Sequence, residues 1–425
     1  PLQVAPRQAA VLCNIRKGYA LGVDFEMGVD IIPFDDLAHI SAERAVPITR
    51  NHEELNPNTT PPGAPSVMVK YPARGGFVPL GAKRTDGSAH PHAGTGFAIN
   101  MALAWPLNIQ AHPPYVAYDY VGKEHYAYFE LHQLAYNGNA VQWLGTERLS
   151  FTDLLPGWRI VNGGITNAIA DGDDLLVGMV GGSVEAKVEQ LMGGHTRGGG
   201  GSGVMRFRHQ KNGWHPVSFV PISGSDNSFE PSLIRDVDGS LLFCARGLFE
   251  PDCYDIRLWR SEDDGNTWRK TLHLRGVVSW APISLNQAAD STPYVAANLY
   301  QVYLYPRSER FRIRKDASGN VLGGGWTREV LCLWPLNTER TALETPIIAR
   351  DLRLDFGPPP SGSDWRADHP SAMTVQLADE QWHNVLAYRV LETAEITNKS
   401  NPTPQTGAYL EEVTSTGPTL PMWRF

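Results

Sequence analysis

Ser261-Glu262-Asp263-Asp264-Gly265-Asn266-Thr267-Trp268 is the stretch on which the fold assignment turns. It has the form Ser-x-Asp-x-Gly-x-Thr-Trp, and each fixed position has a mechanical task in a tight turn. The Ser and Asp side chains can hydrogen-bond turn backbone, the Gly takes the strained position, and the Trp plugs the apolar edge of a sheet. These residues are structural, and no chemistry is assigned to them.

Outward from this turn the chain repeats one local design, in which a short apolar strand runs into an Asp/Gly turn and a second apolar strand returns. Asn167 to Met179, Pro231 to Cys244 and Pro370 to Ala387 each read as such a hairpin, with the turn residues supplying the positive φ that a tight reversal needs. Further hairpins are expected within Pro114 to Phe129, within Cys13 to Asp24, and between Tyr294 to Tyr305 and Phe311 to Lys315. Gly (41) and Pro (32) make up about a sixth of the 425 residues, so the chain is punctuated too often for long helices. The best helical periodicity, Ser183 to Met192, stops at a Gly run.

A chain of this length exceeds the usual single core, and weak internal repetition resolves the excess as one repetitive architecture spanning residues 1–425. The expectation is all-β: a six-bladed, or seven-bladed, β-propeller of four-stranded antiparallel blades, about 70 residues each. The formal charge is −8, from 37 Lys and Arg against 45 Asp and Glu, without a basic block that would track phosphates, so nucleic acid is not an expected partner. No apolar run approaches the roughly 18 residues of a membrane helix, which points to a soluble protein. Residues 1–10 lack the regions of a secretory signal, so any signal is removed or never existed. Localisation stays open, with an extracellular or periplasmic setting favoured. Cys244 and Cys253 are the cysteine pair that one hairpin would bring face to face as a disulfide; free buried thiols are the other reading.

The octapeptide resembles the Asp box of the sialidase-like superfamily, and its upstream context strengthens the resemblance. Glu230-Pro-Ser-Leu-Ile-Arg-Asp-Val-Asp-Gly-Ser-Leu-Leu-Phe-Cys-Ala-Arg246 is similar to the sialidase segment in which Glu-Pro begins a hairpin and an Arg 16 residues later ends it. The resemblance implies that Glu230 is partner and base to a catalytic Tyr, and that Arg246 is one of three arginines on a substrate carboxylate. A guanidinium suits that task because it meets a carboxylate through two charge-assisted hydrogen bonds. The third arginine falls in Tyr303 to Arg314, where Arg307 and Arg310 are the candidates because Arg312 and Arg314 alternate on the following strand. Arg84 is the positional candidate for the first.

The chain departs from the family at the nucleophile. The Tyr-Ser that opens the last blade of a sialidase corresponds to His369-Pro370-Ser371, so His369 stands where the phenolate would be. A second dense segment, Ser88-Ala-His90-Pro-His92-Ala-Gly-Thr-Gly-Phe97, puts two imidazoles on a turn and makes His92 a candidate base beside a carboxylate-bearing sugar. No carboxylate is spaced to complete a metal site with His90 and His92, so neither metal nor other cofactor is expected. The Gly-rich stretch 193–203 is a flexible connection or a loop carrying His195 and Arg197 over the site, and it lacks the Lys-Ser/Thr of a phosphate loop.

Three functions follow. One is a glycoside hydrolase acting on a sialic, ulosonic or uronic acid glycoside, with a carboxylate-bearing carbohydrate as its partner. The second is a uronate-directed polysaccharide lyase with His369 or His92 as base. The third is a propeller that binds glycan without turnover.

Overall fold

In the segment Leu241–Ser261 apolar residues alternate in direction, and both directions are buried. Leu242, Cys244, Ile256 and Leu258 pack into one core cluster with Ile283, Leu285 and Val295, whereas Leu241, Phe243, Ala245 and Trp259 pack into another with Leu176 and Val204. A sheet covered on both faces by other sheets produces this pattern, and a ring of blades supplies two covered faces to every member. The computed structural model describes residues 2–16, 27–50, 52–54, 67–105, 127–138, 140–151, 154–155, 158–160, 168–183, 200–224, 228–250, 253–279, 281–300, 314–315, 321–323, 328–360, 364–392, 403–414, 417–418 and 423–424.

The architecture is a six-bladed β-propeller of antiparallel sheets. The first blade comprises Leu2–Ala5, Gln8–Arg16, Met27–Phe34 and Val46–Arg50; the second, Val67–Phe77, Gly96–Trp105, Ala127–Tyr136 and Val141–Leu149, with His52–Glu54 added alongside Val67–Phe77. The third has Ala168–Asp171, Asp174–Ser183, Gly200–Gln210 and Gly213–Pro221, with Trp158–Ile160 also paired to its second strand. The fourth has Ser228–Arg235, Leu241–Glu250, Cys253–Ser261 and Arg269–Val278; the fifth, Ser284–Gln287, Pro293–Asn298, Val330–Pro335 and Ile347–Asp351. The sixth is built on Trp365–Gln376, Trp382–Glu392 and Gly407–Thr414, edged by Gly417–Pro418 and Trp423–Arg424. The described helix is confined to Leu352–Phe356 and two 3-10 turns.

The inner strands Leu2–Ala5, Val67–Phe77, Ala168–Asp171, Ser228–Arg235, Ser284–Gln287 and Trp365–Gln376 touch in that order, and the last touches the first. Closure between the first and sixth blades uses one side-chain amide at both of its ends. Gln3 Nε2 donates to the Gln376 carbonyl (2.9 Å), and the Gln376 N–H donates to Gln3 Oε1 (2.7 Å).

The Ser261–Trp268 turn joins the third and fourth strands of the fourth blade and makes the bonds its residue types call for. The Gly265 N–H donates to Ser261 Oγ (2.8 Å), and Thr267 donates to both Asp263 oxygens, from its N–H (2.8 Å) and its hydroxyl (2.7 Å). Gly265 has φ +85°, which costs a residue without Cβ nothing. Trp268 donates from Nε1 to the Gly265 carbonyl (3.0 Å) and sets its ring 5.7 Å from that of Phe243.

Three expected hairpins, Asn167 to Met179, Pro231 to Cys244 and Pro370 to Ala387, are the inner hairpins of the third, fourth and sixth blades. One expectation is corrected, and one open alternative is decided. Of the hairpin expected between Tyr294 to Tyr305 and Phe311 to Lys315, residues 301–313 lie outside the described residues; the described ends do not pair, since Pro293–Asn298 lies between Ser284–Gln287 and Val330–Pro335 and Arg314–Lys315 pairs with Val321–Gly323. Cys244 is a free buried thiol opposite Leu258, since the register places Cys253 against Glu250. The Gln8–Arg16 strand pairs with Met27–Phe34. The hairpin expected within Pro114 to Phe129 lies outside the described residues except at its end, as does the periodicity of Ser183 to Met192.

Candidate functional site

Strand register divides the propeller into two ends. In the fourth blade Arg235, Leu241 and Ser261 lie side by side at one end, and Phe229, Arg246, Ile256 and Leu274 at the other. The first is the turn end, and the second, where the inner strands begin, is the mouth.

Glu230 sits at the mouth on a backbone bulge. Phe229 stands opposite Arg246 and Ser232 opposite Cys244, so Glu230 and Pro231 together face the single residue Ala245. Glu230 has φ +51°. A proline normally drives the preceding residue to extended backbone, and a Cβ disfavours positive φ, so this conformation stores on the order of 1–3 kcal/mol. The bulge carries the Glu230 side chain to Arg246, whose Nε lies 2.7 Å from Glu230 Oε2 with the two side chains 5% and 2% exposed. Burial makes the pair interdependent, because either charge alone would lose hydration without compensation.

Arg257 packs against the next residue, Gly247, where a Cβ would collide with both the Asp255 carboxylate and the Arg257 guanidinium. Arg257 donates from Nε to Asp255 Oδ2 (3.1 Å) and from Nη1 to Ser228 Oγ (3.3 Å), and His273 Nε2 meets the same Asp255 oxygen. This second layer braces the wall that holds Arg246.

His369 repeats the design of Glu230 in the sixth blade. Asp368 stands opposite Arg389 and Ser371 opposite Ala387, so His369 and Pro370 form a bulge in the inner strand at the same register. His369 has φ +57°. Arg389 therefore occupies in the sixth blade the place of Arg246 in the fourth. Its Nη2 lies 3.4 Å from His369 Nδ1. A guanidinium only donates, so Nδ1 is the acceptor and the neutral ring carries its proton on Nε2. Unlike Glu230, His369 is exposed.

Sequence reasoning missed Arg389, although a signal existed. Glu230-Pro-Ser and His369-Pro-Ser are parallel tripeptides, and each is followed on the returning strand by an arginine two residues past the partner of the Ser.

His92 and Arg84 lie elsewhere. Residues 78–95 connect the first and second strands of the second blade, and such connections lie at the turn end. Arg84 bonds Asp173 Oδ1 from Nε (3.0 Å) and the His209 carbonyl from Nη2 (3.0 Å). The adjacent Asp174 receives Arg206, which also donates to the Asp264 carbonyl of the Ser261–Trp268 turn. Arg84 is thus an inter-blade tie at the face away from Glu230, and His92 belongs to the same face.

There the rings of His90, His92, His209 and Trp214 form a cluster with all centroids 4.9–6.4 Å apart. His92 Nδ1 lies 2.5 Å from Gln133 Nε2. Desolvation, then the nearby His209 and His90, depress the His92 pKa to about 4, so the ring is neutral near pH 7. His90 Nδ1 accepts the His92 N–H (3.1 Å) and thereby holds its own proton on Nε2. Among the described residues no group of three ligating side chains is placed to hold a metal ion. Arg307, Arg310, His195 and Arg197 lie outside the described residues.

No family model matches the sequence, and no curated protein matches it. Solved structures do. The Trypanosoma rangeli sialidase in complex with sialic acid aligns over 96% of this chain and 52% of its own, at 14% identity and a TM-score of 0.51. The same enzyme in complex with 2,3-difluoro-KDN aligns over 92% and 51%, at 12% identity and 0.51. The Hadza microbial sialidase Hz136 aligns over 91% and 62%, at 10% identity and 0.50. The chain thus spans about half the length of the Trypanosoma enzyme. At these identities the likeness concerns architecture alone: the chain is a six-bladed β-propeller similar in fold to these sialidases.

Proposed function

We propose that this chain is a glycoside hydrolase of the sialidase-like superfamily acting on a glycoside of an acidic sugar: a sialic, ulosonic or uronic acid. One observation carries the reading. The positions that the Asp-box resemblance singles out, Glu230 with Arg246 and His369, fall at one end of the propeller, on matching strained bulges at the starts of two inner strands. Strained backbone persists where the surrounding structure enforces it, and such positions cluster at ligand sites. The ligands named for the Trypanosoma enzyme, sialic acid and difluoro-KDN, are acidic sugars and agree with this class.

In this reading Glu230 is the carboxylate available for proton transfer, with Arg246 fixing its orientation. His369 donates a hydrogen bond from Nε2 to a substrate oxygen. The lone pair on His369 Nδ1 is engaged by Arg389, which speaks for this donor role over that of a lyase base.

The burial of Glu230 and Arg246 favours a second reading, a propeller that binds acidic glycan without turning it over. Incubation with fluorogenic glycosides of N-acetylneuraminic acid and glucuronic acid separates the two. Release of the fluorophore, lost in Glu230→Gln, supports hydrolysis. Retention on a glycan array with no release supports binding alone, and a product absorbing as an unsaturated uronate would replace both with a lyase.

A further inference from the structure

We infer that His90, His92 and His209 form an acid-sensitive latch between the second and third blades, which opens at the turn end and leaves the mouth closed. The latch works whether or not the mouth turns over a glycoside. His90 and His92 come from the connection 78–95 of the second blade, and His209 and Trp214 from the third and fourth strands of the third. The three imidazole centroids are 4.9–6.2 Å apart, so a second proton in the cluster sets two like charges side by side. The trigger is geometric. His90 is 3% exposed, and its Nδ1 accepts the His92 N–H (3.1 Å). A further proton on this ring can go only to Nδ1, which then becomes a donor facing a donor. That bond breaks, and it is part of the turn in which the Ala93 N–H donates to the His90 carbonyl (3.1 Å) and Thr95 donates to the His92 carbonyl from its N–H (3.1 Å) and its hydroxyl (2.7 Å).

The carboxylates near the rings are committed elsewhere. Asp173 receives Arg84 on one oxygen and the Thr85 N–H on the other, and the Arg84 cation also bonds the His209 carbonyl. Glu147, on the fourth strand of the second blade, accepts the Trp214 N–H. Asp174 is paired with Arg206 and Arg208, and Asp86, within the connection, is bonded by Ser88. Among the described residues no carboxylate bonds any of the three rings. Desolvation, as the leading cause, lowers the pKa of all three, that of His92 to about 4. The open form, with values near 6.5, therefore takes up protons before the closed one, so the latch is fully closed above about pH 6.5 and weakens as the pH falls towards 4. His383 in the sixth blade has the opposite construction. Its nitrogens lie 2.8 Å from Glu412 and 3.0 Å from Asp379, and against the effect of burial these bonds raise its pKa, so acid leaves that contact intact.

The test follows amide hydrogen exchange of the whole chain at pH 7 and pH 5, with each rate divided by the intrinsic rate at that pH. In the unsubstituted protein, protection of residues 78–95 is expected to fall by about 10-fold or more between the two conditions, while that of residues 228–250 and of the Ser261–Trp268 turn holds. A fall shared equally by all three segments, or no fall in residues 78–95, overturns the latch. His90→Asn supplies the second arm. Its side-chain oxygen can accept the His92 N–H, as in an Asx turn, and it takes up no proton. The variant is expected to match the unsubstituted protein at pH 7 and to keep most of its protection in residues 78–95 at pH 5. A variant that opens at pH 5 as far as the unsubstituted protein removes His90 as the trigger and overturns the proposal. Should the substitution prevent folding, the comparison of segments in the unsubstituted protein decides alone.

Discussion

The two ends of the propeller place positive φ and buried charge differently. At the turn end the positive φ of the reversals is carried by glycines such as Gly265, Gly239 and Gly172 and by non-glycine residues such as Asp264 and Arg340, and Asp263 and Ser261 satisfy turn N–H groups. Neighbouring blades are tied there by Arg84 to Asp173, Arg235 to Asp171 and Arg340 to Asp236. At the mouth, Glu230 and His369 hold positive φ immediately before prolines, and an ion pair is buried. The two ends differ in where positive φ falls: at the turn end Arg7, Asp264, Ser291, Arg340 and Glu380 adopt it within reversals that require it, whereas Glu230 and His369 adopt it inside inner strands, at bulges, each ahead of a proline that disfavours it.

Substitutions can break or sharpen this contrast. The largest effect is expected at the mouth, where Arg246→Ala leaves the Glu230 carboxylate buried without its partner. A loss of about 3–5 kcal/mol in denaturant unfolding is expected, and a loss below about 1 would mean that the pair is hydrated. At the turn end, Trp268→Ala removes a half-buried ring from Phe243 and should cost about 2 kcal/mol by the same measurement, less than a fully buried Trp would.

Acid provides the third perturbation. The folded pKa of His92, about 4, lies below the unfolded value of about 6.5, so the unfolded chain takes up the proton first. The contribution of His92 is therefore fully present above pH 6.5 and is lost as the pH falls towards 4, by on the order of 1–2 kcal/mol allowing for its partial exposure. Melting followed from pH 7 to 4 should show this decline, and His92→Gln should flatten it. A slope unchanged in the variant would mean that other groups set the acid sensitivity.

The smallest effect is of opposite sign. His369→Gly relieves a positive φ that a Cβ disfavours and should raise stability by up to about 1 kcal/mol while weakening acidic-glycan binding. Destabilisation would show that the surrounding contacts of His369, rather than strain, dominate its energetics.

How much of this was legible beforehand follows from the range of each signal. The hairpins of Asn167 to Met179, Pro231 to Cys244 and Pro370 to Ala387 are local, each written in two apolar runs and the turn residues between them, and they could be read directly. The pairing of Pro293–Asn298 with Val330–Pro335 crosses a long connection, and proximity along the chain pointed to the wrong partner. Glu230 and Arg246 could be read as a pair because both belong to one hairpin. That His92 and Arg84 lie at the end away from Glu230 could not be read, because residue type advertises chemistry but carries no information about which end of a blade a loop occupies.

The sequence by itself determined the repeating strand-turn-strand unit, the Ser261–Trp268 turn and the Glu-Pro-Ser and His-Pro-Ser motifs, since each depends on residues within a few positions of one another. Only the tertiary structure decided that six inner strands close into a ring, that Arg389 is the counterpart of Arg246, and that Arg84 and His92 face away from Glu230. Those relations are set by register between strands and by the packing of one blade on the next, and both depend on contacts between residues far apart in the chain.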